Sequence, residues 1–411
     1  MTSLFVKKIY RLVPFWLFLA FFKFAASVHY TLMSPLGEQV FPLWLVGLLI
    51  GGASLLQLLL DVPSGYLADR FGYRRSLIIT TVCFIGAACV LFAGLTPASY
   101  VATLFFAVFG WLFYNSSSNA YIMSQSHEHE VGRLVSIKDI FMSIGVVLSG
   151  AVILFVVAWR PEMLAIGLVG LFLVALLLII ITPREVNLGK QPREKAGFSF
   201  VRESFNAAHR LKPASYLLMI SNFTGALFYA IIWFVVPLLI AHNINAATLS
   251  LGLGVFDFSI VLLGFFLGTI VDSYNKKLLV LFGMVLFSVA GILLGANFGF
   301  VFLLLGFLAT TGDELAGLSL WSWLYASGGD RRHYGLVTGM VELWSDLGWT
   351  VGPMLAGILY TLIGPSFTIS IGGALILVNL VLYLVMLKHP LPQPIASLVA
   401  GRRPHRHHHK K

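Results

Sequence analysis

The chain has 411 residues, of which 58% are hydrophobic and 11% charged, with a mean hydropathy of +0.90. A soluble globule carries about 25% charged residues, so this composition excludes an ordinary water-soluble domain and points to lipid as the solvent. The formal charge of +10 does not imply a nucleic-acid partner, because the basic residues fall on alternate loops rather than in one patch.

A membrane helix needs about 20 mainly apolar residues. Twelve segments meet that requirement: 12–33, 41–63, 75–95, 99–123, 134–158, 163–182, 214–240, 248–270, 278–296, 299–326, 335–362 and 367–387. The first is of span length and lacks a small-residue cleavage site, so no signal peptide is expected. Cys83 and Cys89 lie inside the third span and read as small buried hydrophobes. Of the 27 lysines and arginines, all but Lys23, Lys138 and Arg160 lie in the two termini or in one set of alternate loops. The positive-inside rule therefore predicts that both termini and the long central loop are cytoplasmic.

Between the second and third spans lies a strongly charged stretch, Gly65-Tyr66-Leu67-Ala68-Asp69-Arg70-Phe71-Gly72-Tyr73-Arg74-Arg75. It reads as a short loop in which Gly65 and Gly72 permit close approach and unusual backbone angles. Further on, residues 184–212 form a long polar stretch between two sets of six spans. The expected organisation is a six-helix bundle over 1–183, a linker over 184–212, a second bundle over 213–388 and a basic tail over 389–411. An internal repeat supports this: at an offset of 203 residues Gly65 maps to Gly268, Asp69 to Asp272, Gly132 to Gly335, Asp139 to Glu342 and Gly145 to Gly348.

The charged stretch resembles the signature loop of the major facilitator superfamily, G-x-L-A-D-R-x-G-R-R/K. Asp61-Val62-Pro63-Ser64-Gly65, which leads into it, is similar to a pattern of bacterial efflux-type members. Gly348-Trp349-Thr350-Val351-Gly352-Pro353-Met354-Leu355-Ala356-Gly357 resembles the family's G-x-x-x-G-P-x-x-G-G motif, here in the eleventh span rather than the fifth. The family's fourth-span arginine is missing, since Trp111 to Ser126 contains no Arg. The resemblance implies an all-α fold of twelve transmembrane helices in two pseudo-symmetric six-helix bundles. It also implies a cavity lined by the first, fourth, seventh and tenth spans, and a gate in which Asp69 contacts the start of the eleventh span.

Nine charged residues lie within spans: Lys23, Asp61, Lys138, Asp139, Asp257, Asp313, Glu314, Glu342 and Asp346. Each costs about 2.5–3.5 kcal/mol at a helix centre on the translocon scale, so each calls for a partner or a function. Lys23, Asp257, Asp313, Glu314 and Asp346 lie deepest and are candidate substrate or coupling-ion residues. Lys23 could bind an anionic group or act as counter-ion to Asp313 or Glu314. Asn222, Ala226, Tyr229 and Trp233 recur at helical spacing on the seventh span. They and Asn119 are candidate cavity residues, with ordinary packing the alternative for the aromatics. Glu342 and Asp346 stand i, i+4, where like charges repel; they form either a proton carrier or two acids each held by a loop arginine. The residues near span ends, Asp61, Asp139 and Glu342, join Gly65, Asp69, Arg70, Gly72, Arg74, Arg75 and Asp272 as gating candidates. Lys138 and Asp139 project about 100° apart on a helix and need not pair.

His127-Glu128-His129-Glu130 reads as a solvated turn rather than a metal site. The tail from Arg402 to Lys411 is either a disordered tail or a contact for anionic lipid. No phosphate-binding glycine loop, nucleophile elbow or metal motif appears, so no catalytic residue, cofactor or metal is expected. The resemblance implies a secondary active transporter of the inner membrane, expected to act as a monomer among lipids. It would move a small organic molecule by alternating access, with proton-coupled efflux of a hydrophobic or weakly charged compound the leading expectation. Uptake or facilitated diffusion of a polar nutrient, and a non-transporting receptor on the same fold, are the alternatives.

Overall fold

A computed structural model describes residues 3–125, 131–184, 213–326 and 334–388. The expected His127–Glu130 turn, the basic tail and all of the linker except Arg184 fall outside them. The described chain is helical, and its helices, numbered in chain order, are α1 (Ser3–Arg11), α2 (Val13–Glu38), α3 (Leu43–Phe71), α4 (Tyr73–Val90), α5 (Pro97–Gln125) and α6 (Val131–Val156), followed by α7 (Pro161–Ile181), α8 (Pro213–Ala241), α9 (Ala246–Ser273), α10 (Lys276–Leu294), α11 (Val301–Ala326) and α12 (Tyr334–Lys388). Among the described residues 11 helices are long and apolar enough to cross a membrane. In lipid a helix satisfies its own backbone, which is why long apolar runs adopt it.

The last of these helices supplies two crossings. α12 breaks at Gly364, where φ is 80° and ψ 173°, a conformation that favours glycine. Its first arm packs along α8, with Gly348 against Phe223 and Gly352 against Leu227 and Ala230. Its second arm returns beside α10: Ser370 Oγ donates to the Ile292 carbonyl at 2.9 Å and Tyr383 Oη to the Lys277 carbonyl at 2.7 Å. Twelve crossings result, and the fold is the expected all-α arrangement.

Small residues set the helix contacts, as they must where lipid supplies no hydrophobic drive between helices. A Cβ placed on Gly145 of α6 would lie 2.4 Å from the Ala20 carbonyl oxygen and 2.8 Å from Phe24 N on α2. One placed on Gly348 of α12 would lie 2.5 Å from the Phe223 oxygen and 2.9 Å from Leu227 N on α8. All three positions of the first contact map onto the second at the offset of 203 residues seen in the sequence. The halves therefore share one packing scheme, α2 against α6 in the first and α8 against α12 in the second. Between halves, α3 packs on α12 and α6 on α9.

Two local expectations are corrected. The charged stretch is not an extended loop: α3 continues through Phe71, Gly65 is helical, and the chain reverses at Gly72 alone, with φ 92°. Cys89 is exposed and Cys83 partly so, both on the outer surface of a helix rather than buried. Lipid-facing positions need apolarity and not burial, so hydropathy alone does not separate the two.

Candidate functional site

A cavity of about 370 Å³ lies where the two halves meet, a size suited to a small organic ligand. α2 contributes Lys23, His29 and Tyr30, and α5 contributes Trp111 and Asn115. From the second half come Trp233 of α8, Asp257 of α9, and Asp346 and Trp349 of α12. Gln57 of α3 adds a neutral polar group. Of the candidates read from the sequence, Lys23, Trp233, Asp257 and Asp346 meet here.

Lys23 reaches this position because α6 lies close on α2 at Gly145, directly behind it. Its Nζ stands 4.6 Å from the Trp111 ring centre and 5.4 Å from that of Tyr114. Such cation–π contacts partly offset the loss of hydration. The acid that interacts electrostatically with Lys23 most strongly is Asp257, from the other half. Ser143 Oγ of α6 donates to Asp257 Oδ1 at 3.2 Å. Lys23 is thus set against Asp257, not against Asp313 or Glu314 as one sequence alternative had it.

Asp313 belongs to a separate cluster inside the second half. Tyr229 Oη donates to Asp313 Oδ2 at 3.0 Å, and the Tyr229 ring stacks on Phe287 with centres 5.9 Å apart. Gly225 leaves the room: a Cβ there would stand 3.4 Å from Asp313 Oδ1. Glu314 interacts electrostatically with Asp313 and Asp257. The seventh-span stripe therefore divides. Asn222 Nδ2 donates to the Leu218 carbonyl at 2.8 Å, Ala226 packs against Gly348, Tyr229 holds Asp313, and Trp233 alone lines the cavity.

Toward the end that carries both termini, Lys138 Nζ donates to Asn119 Oδ1 at 2.5 Å and pairs with Asp139 at 3.2 Å. Asn119 is thus a partner of Lys138 and not a cavity residue, and the adjacent Lys138 and Asp139 do pair. Asp61 of α3 and Asp346 of α12 interact electrostatically across the halves, and Glu342 interacts with both. Asp346 thus interacts with Asp61 of the other half as well as with Glu342 along its own helix. Arg74 donates through Nε to the Ile179 carbonyl at 3.1 Å and through its terminal nitrogen to the Ile180 carbonyl. It anchors the turn to the end of α7. Arg70, Arg75 and Asp272 are exposed, and the Asp69 side chain is outside those described.

At the opposite end the halves close on glycines. A Cβ on Gly47 of α3 would meet the Pro353 oxygen at 2.3 Å and Gly357 Cα at 3.1 Å on α12. One on Gly150 of α6 would meet Gly254 N of α9 at 2.4 Å. Ser250 Oγ donates to the Gly150 carbonyl at 2.5 Å and accepts from Leu154 N at 3.0 Å. Outside this seam His242 Nε2 and Glu38 Oε2 stand 3.0 Å apart, joining the ends of α8 and α2. Toward the terminal end, positions 264 and 268 of α9 face open space, with no atom within 4 Å of a Cβ placed there.

Sequence reasoning missed His29, Tyr30, Ser143 and the Glu38–His242 pair. A histidine within an apolar helix was a visible signal for His29. The others become identifiable only when helices are placed side by side.

A family model described as Major Facilitator Superfamily matches residues 14–220 and again 218–407. No curated protein sequence matches the chain. Among solved structures, a variant of the nucleoside transporter NupG aligns with a TM-score of 0.72 at 16% identity, over 91% of this chain and 99% of that one. A POT family transporter in complex with a thioalcohol-conjugated peptide aligns at 0.69 and 13% identity, over 92% and 96%. The human organic anion transporter MFSD10 aligns at 0.64 and 16% identity, over 91% and 99%.

Proposed function

The chain belongs to the major facilitator superfamily, and from that premise we propose that it is a secondary active transporter of a small organic molecule, working by alternating access. The observation that carries this reading is the cavity itself. It lies between the halves, is charged by Lys23 and Asp257, and is closed at one end by the Gly47–Gly357 and Gly150–Gly254 contacts. By the positive-inside rule the termini are cytoplasmic, so the closed end is the outer one and the cavity is reached from the cytoplasm. Efflux across the inner membrane is the proposed direction, and the aromatic lining fits a hydrophobic or weakly charged cargo.

Protons are the proposed coupling ion. Asp61 of α3 and Asp346 of α12 are the proposed proton carriers, because they are acids of opposite halves that interact electrostatically. In this reading, parting α3 from α12 separates the two acids and changes their hold on a proton. The gating role of the charged turn rests on Gly72 as pivot and Arg74 as anchor. Asp139 and Glu342 would tune the charge around it.

Reconstituted into proteoliposomes, the protein should drive substrate against its gradient when a pH gradient is imposed. Flux indifferent to any ion gradient would replace this reading with facilitated diffusion. Absence of counterflow for a broad panel of compounds would replace it with a receptor.

A further inference from the structure

Two nitrogen groups of residues lining the cavity make no hydrogen bond among the described residues. Among the described residues the Lys23 ammonium hydrogen-bonds to none, although it carries three donors and lines the cavity. His29 is 2% exposed, lines the same cavity, and its Nε2 is buried without a hydrogen-bond partner. A buried polar atom left unmade costs about 1–3 kcal/mol, so a ligand atom that reached His29 Nε2 would relieve that cost. The two residues are six positions apart on α2, about 9 Å along the helix axis.

The acid opposite is already engaged. Asp257 accepts from Ser143 and faces Lys23. A cationic ligand would have to compete with Lys23 for Asp257, and with the Lys23 charge itself. An anionic ligand would share Lys23 with Asp257, but no described residue occupies the Lys23 donors by hydrogen bonding. The lining also holds a second acid, Asp346, the neutral polar Gln57 and Asn115, and an apolar and aromatic surface that includes Trp111, Trp233 and Trp349.

We propose that the cavity binds an amphipathic organic carboxylate, its anionic end on Lys23, its body against the tryptophans, and a second polar atom on His29. This deepens the transporter reading by naming the cargo class, yet it concerns equilibrium binding and is tested without transport.

The probes are dansylglycine, its neutral amide and the amine dansylcadaverine, which share one fluorophore. They are titrated into the purified full-length protein, with dansyl emission as readout. Dansylglycine should bind about 10- to 100-fold tighter than its amide, the value of one charge-assisted hydrogen bond. Lys23→Gln should abolish that preference, and Lys23→Arg should keep it. His29→Phe, which retains the ring contact with Phe84 at 5.8 Å, should weaken dansylglycine about 2- to 12-fold. Melting temperatures of the variants verify that they are folded. Equal binding of acid and amide, tighter binding of the amine, no binding of the acid, or an unaltered preference in Lys23→Gln overturns the proposal. Gradient-driven flux in proteoliposomes is read separately, so failure here leaves the transporter reading to its own test.

Discussion

Gly150→Ala should shift the protein toward the state open at the end opposite its termini. The added Cβ would lie 2.4 Å from Gly254 N, 2.8 Å from Gly254 Cα and 3.0 Å from the Ser250 oxygen. All three are backbone atoms, so no side chain can swing aside. Overpacking of this kind costs about 1–3 kcal/mol. Alanine is also a better helix former than glycine by about 1 kcal/mol, but that gain is common to every state in which α6 is helical and drops out of the equilibrium between states. The clash exists only while the seam is closed, so the open state should gain about 5- to 160-fold in relative population. Gly264→Ala on α9 is the control, since its Cβ meets nothing within 4 Å. The assay labels a cysteine at the cavity position Asn115 with a membrane-impermeant maleimide added from the outside, after Cys83 and Cys89 are changed to serine. Labelling should quicken in Gly150→Ala and not in Gly264→Ala. Equal rates in the two variants would refute the reasoning that this glycine seam is the closed gate.

Glu38→Gln and His242→Gln should each speed the same labelling. Their double mutant should show a coupling of only about 0.2–1 kcal/mol, because the pair is 30% and 43% exposed. Asp61→Asn and Asp346→Asn should each uncouple substrate movement from an imposed pH gradient while leaving counterflow, as measured in proteoliposomes. Retained coupling in both variants would remove the proton role of this pair. Tyr229→Phe removes the 3.0 Å bond to Asp313 and should lower stability by about 1 kcal/mol, read as a fall in melting temperature. Affinity for a cavity ligand should stay within about twofold, because Tyr229 does not line the cavity.

The amino-acid sequence by itself determines how many times this chain crosses the bilayer and how its halves repeat. Lipid forces each crossing to be a self-satisfied helix, so composition and apolar run length specify twelve crossings. The reversal at Gly364, between the eleventh and twelfth, adds nothing that the run lengths at 335–362 and 367–387 do not already imply. The 203-residue offset can be read from Gly145 and Gly348, and the structure shows why both are glycine: each lets a helix backbone touch its neighbour at matched positions. Which charges meet is not legible in the same way. Hydropathy places Lys23, Asp257, Asp313, Glu342 and Asp346 at depths along their helices, but not at angles around them, nor beside particular neighbours. Only tertiary packing brings Asp61 to Asp346 beside Glu342, turns Asp313 to Tyr229, and leaves Lys23 facing Asp257. A helix rotated by one residue moves a side chain about 100°. The pairing of buried charges is therefore decided by the interlock of small residues between helices and not by the order of residues within one.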